Sequence, residues 1–338
     1  MAVGISGYGV SIPRLRVKKE EYAKAWGAFR ASGVKEKAVM GFDEDVLTFA
    51  TKASRRALTS AGLDPGKVTR FALASTSAPY AEKLLSGTVT TSLGMPNDAL
   101  VSDHTTSSRA GTEAMMVSIE HVLARPGSCA VCSVADSPRA SMWAQVEHGF
   151  GAGAAAYVFS DNDLIAEFEG SASYASEHFG ERFRPKDGGL VHDLNVRKFA
   201  QSSLIRTTTN AAAALMKKLS VGPEDYAYVA IQQPDVRTPG AIAKKLGFSD
   251  SQLAGAMVAT ELGDLGSASV PISLAASIDR AERGDRILAI SYGSGAASDA
   301  MSFKVVGDRR SVPSVEADVA RKEYIDYIQY LKLKGAIR

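Results

Sequence analysis

The sequence predicts a layered α/β/α/β/α protein built from two pseudo-symmetric halves. Three observations lead there. Two pairs of helix–turn–strand units recur at one offset, the second pair of helices is apolar on nearly every side, and the strands are short unbroken apolar runs. Helices without a polar face are buried on most sides, and continuous apolar strands belong to a sheet covered on both faces. The central helices are therefore expected between two sheets.

The chain opens with MAVGISGYGVSIP, a strand closed by a Gly/Pro turn. It lacks the basic start, long apolar region and cleavage site of a signal peptide. Residues 48–63 form a small-residue helix pattern, followed by the turn Asp64-Pro65-Gly66 and the strand 71–74, closed by Ser75-Thr76-Ser77. Ser108-Arg109-Ala110-Gly111 opens the next helix, which runs through Leu123 to Arg125-Pro126-Gly127 and the strand 130–134. The second half repeats both units. Residues 207–219 are a helix, Gly222-Pro223 the turn, and 228–231 the strand, closed by Gln232-Gln233-Pro234. Gly266-Ser267-Ala268-Ser269 then opens a helix through Ala281, with a turn at 283–285 and a strand at 287–291. Pro65 and Pro223 stand 158 residues apart, Gly127 and Gly284 157. One offset shared by two blocks marks an internal duplication. The expected halves are 1–165 and 166–310, with a tail at 311–338.

At 338 residues the chain can bury a large core without disulfides or a structural metal. Its 45% hydrophobic and 22% charged residues exclude a disordered chain. A net charge of +2 supplies no field for nucleic acid or an anionic membrane. Charges interrupt every long apolar stretch, so no transmembrane helix is expected. Two cysteines suit a reducing, cytoplasmic setting.

Cys129-Ala-Val-Cys132 has redox spacing, but its place in a strand favours two structural thiols, and no further cysteine completes a zinc set. Gly149-Phe-Gly151-Ala-Gly153 leads into a strand rather than a helix, which favours close backbone packing over phosphate binding. His148, beside Glu147, and His104, four residues before Ser108, would act as bases only with partners the sequence does not name. The polar run Thr105-Thr106-Ser107-Ser108 is the strongest chemical candidate, because it enters a buried helix at the end where the macrodipole favours negative charge. Ser107 or Ser108 serves equally well as a helix N-cap, and local sequence alone favours the cap.

Taken in order, GISGYGVSIPRLRV, Asp43-Glu44-Asp45, STSAPYA, SSRAGTEA, IQQPDVRTPGAIAKKLGF, LGDLGSASVPISLAA and ILAISYGSGAASDA resemble archaeal-type 3-hydroxy-3-methylglutaryl-CoA synthases. The resemblance covers residues 3 to about 306 and implies the duplicated five-layered thiolase fold. In that family a cysteine nucleophile stands where this chain has Ser108, a carboxylate acid/base where it has Thr76, and a histidine where it has Gln232. An asparagine often stands where it has Asp264. A serine hydroxyl needs an adjacent base, Gln232 accepts no proton, and Thr76 does not replace a carboxylate.

These departures lead to the expectation of a catalytically degenerate synthase-like subunit in a thiolase-type acyltransferase complex. The chain is similar in this to the synthase-like subunit of the bacterial diacetylphloroglucinol acyltransferase. That likeness implies a homodimer working beside a thiolase-like catalytic subunit and a small zinc-ribbon/OB-fold protein. The alternatives are an active acyl-CoA condensing enzyme using Ser108, and a scaffold without an acyl ligand. No tightly bound cofactor or metal is expected, with a coenzyme A thioester as ligand or substrate at Ser108 and Asp264. In the tail, Tyr324, Tyr327 and Tyr330 recur at three-residue spacing. They suit a partner interface or, equally, a terminal helix packed on its own domain. Phe183–Leu190 reads as a loop-like insert: a lid, a partner contact or a disordered segment.

Overall fold

Strand β1 (Gly4–Ser11) lies at the middle of a nine-stranded sheet in a computed structural model that describes residues 2–176, 181–194, 201–308 and 312–337. After it come β2 (Leu15–Lys18), β3 (Glu36–Val39), β4 (Arg70–Ala74), β5 (Leu100–His104), β6 (Ala130–Asp136) and β7 (Gly153–Ser160). The second half holds β8 (Ala166–Ala175), β9 (Arg182–Phe183), β10 (His192–Asp193), β11 (Tyr228–Ile231), β12 (Arg286–Ile290) and β13 (Ala297–Val305). The tail adds β14 (Glu323–Tyr324), which pairs with β2.

The order of the large sheet is β11-β12-β13-β8-β1-β7-β6-β4-β5. β4 is parallel to β6, β6 antiparallel to β7, and β7 antiparallel to β1. In the second half β11 is parallel to β12, β12 antiparallel to β13, and β13 antiparallel to β8. The same succession of pairings thus occurs twice. The two sets join where Gly4 and Ile5 of β1 face Glu167 and Ala166 of β8. The expected boundary at 310 falls outside the described residues.

Alternation along the strands builds the layers. Phe71 and Leu73 of β4 and Val131 of β6 pack outward with Phe49 and Ala53 of the helix Val46–Ala61. Val229, Ile231 and Leu288 pack outward with Leu215 of the helix Arg206–Leu219. The intervening residues, among them Ala72, Ala74, Cys132, Ala230 and Ala289, turn inward to one core shared with the helices Ala110–Ala124 and Ser269–Ile278. All ten residues of the second of these helices are buried. Burying one of its aliphatic side chains, such as Ile272 or Leu274, stabilises the fold by about 1.5–3 kcal/mol.

Gly111 lets the two central helices approach. A Cβ there would lie 2.5 Å from the carbonyl oxygen of Ser267. At the start of the outer helix, Asp45 and Thr48 exchange side-chain and backbone hydrogen bonds in a capping box.

The tail folds back on its own chain. Tyr330 of the helix Tyr327–Leu333 is fully buried and Tyr327 nearly so, whereas Tyr324 stays half exposed with its hydroxyl donating to Glu36. Lys37 Nζ donates to Glu147 Oε1 at 3.0 Å, to the Glu147 carbonyl at 2.8 Å and to the Tyr330 hydroxyl at 2.9 Å. Tyr330 and Tyr22 both donate to the Glu147 carboxylate. Burial pulls the Lys37 ammonium below its usual range, and the attraction of Glu147 only partly offsets this.

The insert at Phe183–Leu190 is the turn of a short hairpin formed by β9 and β10. Among the described residues no helix is long and apolar enough to cross a membrane.

Candidate functional site

Ser108 stands just ahead of the helix Ala110–Ala124, and its hydroxyl donates to the carbonyl oxygen of Tyr292 at 2.7 Å. Neither serine caps the helix: Arg109 stands at the N-cap without a side-chain cap bond, and Ser107 Oγ accepts only the Arg109 N–H at 3.3 Å. Arg109 fastens this corner to the other half. Its guanidinium donates to both oxygens of buried Asp299, at 2.8 and 3.0 Å, and also pairs with Glu113. Asp299 further accepts from Thr112 and Ser173, so the start of the helix is held rigidly against β13.

Ser108 borders a cavity of about 660 Å³. Gln232, at the end of β11, borders it too, so two of the expected positions meet although 124 residues separate them. Gln232 is 3% exposed and its Nε2 donates to the carbonyl of Gly266 at 2.9 Å.

Thr76 goes elsewhere. Its hydroxyl donates to buried Asp136 at 2.7 Å, beside bonds from Ser77 and Ser267, and it does not line the cavity. Asp264 is 2% exposed and also stands behind the cavity wall. One of its oxygens accepts from Arg182 at 2.7 Å and the other from the Gly266 N–H at 3.0 Å. Arg182 lines the cavity from the β9–β10 hairpin and also pairs with Asp193 at 3.4 Å. Burial disfavours its charge, but Asp264 and Asp193 outweigh that and raise its pKa.

Four further lining residues carried no signal in the sequence: Arg30, Glu181, Arg237 and Tyr292. Glu181 accepts from the Tyr292 hydroxyl at 2.6 Å and from Ser203 at 3.0 Å. Burial, and then the Glu181 carboxylate, push the Tyr292 phenol well above its usual pKa, so it remains a donor. Their only trace in the sequence is position. Tyr292 follows the last repeated strand, as Gln232 follows β11, and strand ends are where this fold gathers its polar groups.

The remaining candidates have structural surroundings. Cys132 is buried, which pushes its thiol up, and Cys129 is partly buried with the same direction of shift. A Cβ at Gly151 would lie 1.8 Å from the carbonyl oxygen of Leu262, so that glycine serves close backbone packing. His148 Nδ1 accepts the N–H of Arg30 at 3.1 Å, and His104 meets Ser102 at 3.2 Å. Burial lowers the pKa of both imidazoles.

Residues 216–305 match the family model of the 3-oxoacyl-[acyl-carrier-protein (ACP)] synthase III C terminal. A hydroxymethylglutaryl-CoA synthase of Methanococcus vannielii is 35% identical over 99% of this chain and 99% of its own length. The synthase of the same name from Thermococcus gammatolerans is 34% identical over 98% of this chain and 96% of its own. Among solved structures, one described as an HMG-CoA synthase complexed with CoA superposes with a TM-score of 0.88, at 18% identity, over 98% of this chain and 90% of that one. The fold is the expected thiolase fold.

These findings correct the expectation of a catalytically degenerate subunit. Relatives that match from end to end at a third identity are named as synthases, which favours the active condensing enzyme over an idle subunit. The expectation of a thiolase-like subunit and a zinc-ribbon/OB-fold partner rests on that reading and goes with it. The comparisons support the resemblance at the level of the family, not at that of the diacetylphloroglucinol acyltransferase subunit.

Proposed function

Since this chain belongs to the hydroxymethylglutaryl-CoA synthase family, we propose that it is an acyl-CoA condensing enzyme whose acyl group is carried by Ser108. The observation that carries the reading is the placement of the Ser108 hydroxyl, at a helix start and on a cavity of about 660 Å³ lined from both halves. A structural relative is described as complexed with CoA. Coenzyme A is the thioester carrier this reading requires, and Arg30 and Arg237 supply positive charge to the cavity for its phosphates.

A serine hydroxyl needs a base to become a nucleophile, and elimination points to one. Asp193 is committed to Arg182, and Asp235 is held ahead of the helix Thr238–Leu246, where it accepts from the N–H and hydroxyl of Thr238. Glu181 is held by the neutral hydroxyls of Tyr292 and Ser203 on the same cavity. In this reading Glu181 takes the Ser108 proton as the oxygen attacks the thioester carbonyl. The C–S bond breaks, and the proton passes to the departing CoA thiolate. Glu181 then takes a proton from the α-carbon of a second acyl thioester. That carbon attacks the Ser108 ester, the C–C bond forms, the ester C–O bond breaks, and the proton returns to Ser108. The helix macrodipole at Ser108 favours the negative charge that develops in both steps.

A second copy of the chain is the expected partner, joined along β5, which ends the sheet and leaves Leu100 half exposed. Sedimentation at micromolar concentration tests this, and a monomer there would count against it.

Peptide mass spectrometry after incubation with acetyl-CoA or acetoacetyl-CoA tests the chemistry. The expected result is an acyl adduct on the peptide carrying Ser108, absent from Ser108→Ala. Consumption of neither thioester and no adduct would overturn the proposal.

A further inference from the structure

The loop 27–35, between the helix Lys19–Trp26 and β3, brings Arg30, Ala31 and Ser32 to the cavity. Its far end is tied by the Lys35 N–H, which donates to the Thr260 carbonyl at 2.8 Å, and the Ser32 carbonyl accepts from Val236 at 3.4 Å. At Arg30 itself the tie is to a side chain, because the Arg30 N–H donates to His148 Nδ1 at 3.1 Å. That imidazole is a fixed post. It is 5% exposed and packs against the rings of Tyr22 and Phe29, with centroids 4.7 and 5.6 Å away. The residue before it, Glu147, is gripped by Lys37, Tyr22 and Tyr330. His148 does not line the cavity, so whatever it contributes there passes through Arg30.

Nδ1 accepts an N–H only while it carries no proton of its own, which places the proton of the neutral ring on Nε2. The titratable and charged groups facing the ring are Glu147, which favours its charged form, Lys37 and Arg30, which oppose it, and the Tyr22 phenol. Burial exceeds each of these and holds the ring neutral to below the ordinary histidine range. We propose that His148 is a positioning residue for ligand binding, fixing the main chain of Arg30 so that its guanidinium is held at the cavity for the phosphates of a coenzyme A thioester. This rests on the acyl-CoA reading of the cavity and adds an acid response to it. Protonation turns Nδ1 from an acceptor into a second N–H facing that of Arg30, so the tie is present at neutral pH and lost as the pH falls.

Isothermal titration calorimetry of the whole protein with CoA at pH 7.5 and pH 5 tests it, in wild type, His148→Asn and His148→Phe. Asparagine sets a carbonyl oxygen where Nδ1 stands and does not titrate, whereas phenylalanine keeps the ring and loses the acceptor. At pH 7.5 His148→Phe is expected to bind CoA about tenfold more weakly than wild type, the size of one lost hydrogen bond, and His148→Asn to recover most of that loss. Between pH 7.5 and pH 5 wild type is expected to weaken about tenfold more than His148→Asn, a difference from which the titration of CoA itself cancels. Equal weakening in the two proteins, or wild type binding the more tightly at pH 5, would overturn the role of His148 and leave the acyl-CoA reading standing. Failure of wild type to bind CoA at either pH would overturn both. Where the variants do not fold, NMR titration of the five histidine rings of wild type decides. Saturation with CoA is expected to lower the pKa of one ring, and lowering of none would overturn the proposal.

Discussion

The Ser108 hydroxyl donates to the main-chain carbonyl of Tyr292 at 2.7 Å, and the side chain of the same tyrosine donates to Glu181 at 2.6 Å. One residue therefore holds the candidate nucleophile with its backbone and the candidate base with its ring. Because the repeated strand β12 delivers Tyr292, the site depends on both halves of the duplication.

Ser108→Cys is expected to form the acyl-enzyme about tenfold faster or more. A thiol with a pKa near 8.5 supplies thiolate without a strong base, whereas a hydroxyl does not. Rapid-quench sampling with intact-protein mass spectrometry measures this. A cysteine variant no faster than wild type would mean that geometry, not nucleophile acidity, limits the step.

Arg182→Met is expected to lower stability by about 2 kcal/mol, because it strands the buried Asp264 carboxylate on a single N–H donor. That value lies below the cost of breaking a fully buried pair because the Arg182 side chain keeps 24% exposure. Asp264→Asn should cost less, since Asp193 still balances the guanidinium. Urea unfolding of the two variants gives the order, and equal losses would reject the pairing as the cause.

Tyr330→Phe removes one hydrogen bond each from Lys37 and Glu147 and is expected to cost about 1–2 kcal/mol. The loss should appear as a lower denaturant midpoint with an unchanged slope. A changed slope would instead signal that the terminal helix has detached.

Glu147 sets a pH dependence. Burial alone would raise its pKa, but Lys37, Tyr330 and Tyr22 outweigh burial and hold the carboxyl below its ordinary value. Below the unfolded pKa of about 4.3 the unfolded chain binds this proton first. Its contribution is therefore complete above that pH and is lost as the pH falls through the depressed native value. Unfolding curves from pH 6 to pH 3 should be flatter for Glu147→Gln than for wild type. Parallel curves would remove Glu147 from the acid response.

Cys132 is expected to resist Ellman's reagent at pH 8 in the native protein and to react once urea unfolds it. Burial both shields the thiol and raises its pKa. Rapid native labelling of Cys132 would show that the inner core opens.

Much of the fold is legible in the sequence because its signals are local. The turns at Pro65 and Pro223, the apolar helices and the strand runs are set by neighbours a few residues apart. Their common offset then carries the duplication, which the structure returns as two identical successions of strand pairing. Ser108 and Gln232, singled out through family resemblance rather than spacing, both border one cavity.

What the tertiary structure decided is which polar groups meet. It sent Thr76 to Asp136, Asp264 to Arg182, and Glu147 to Lys37 and the tail tyrosines. It brought Glu181 and Tyr292 to Ser108, and it left one buried oxygen of Gln232 without a partner. Apolar patterning repeats along the chain and needs only a period to be read. A hydrogen bond between residues more than a hundred positions apart has no period, and exists only once the layers have closed around it.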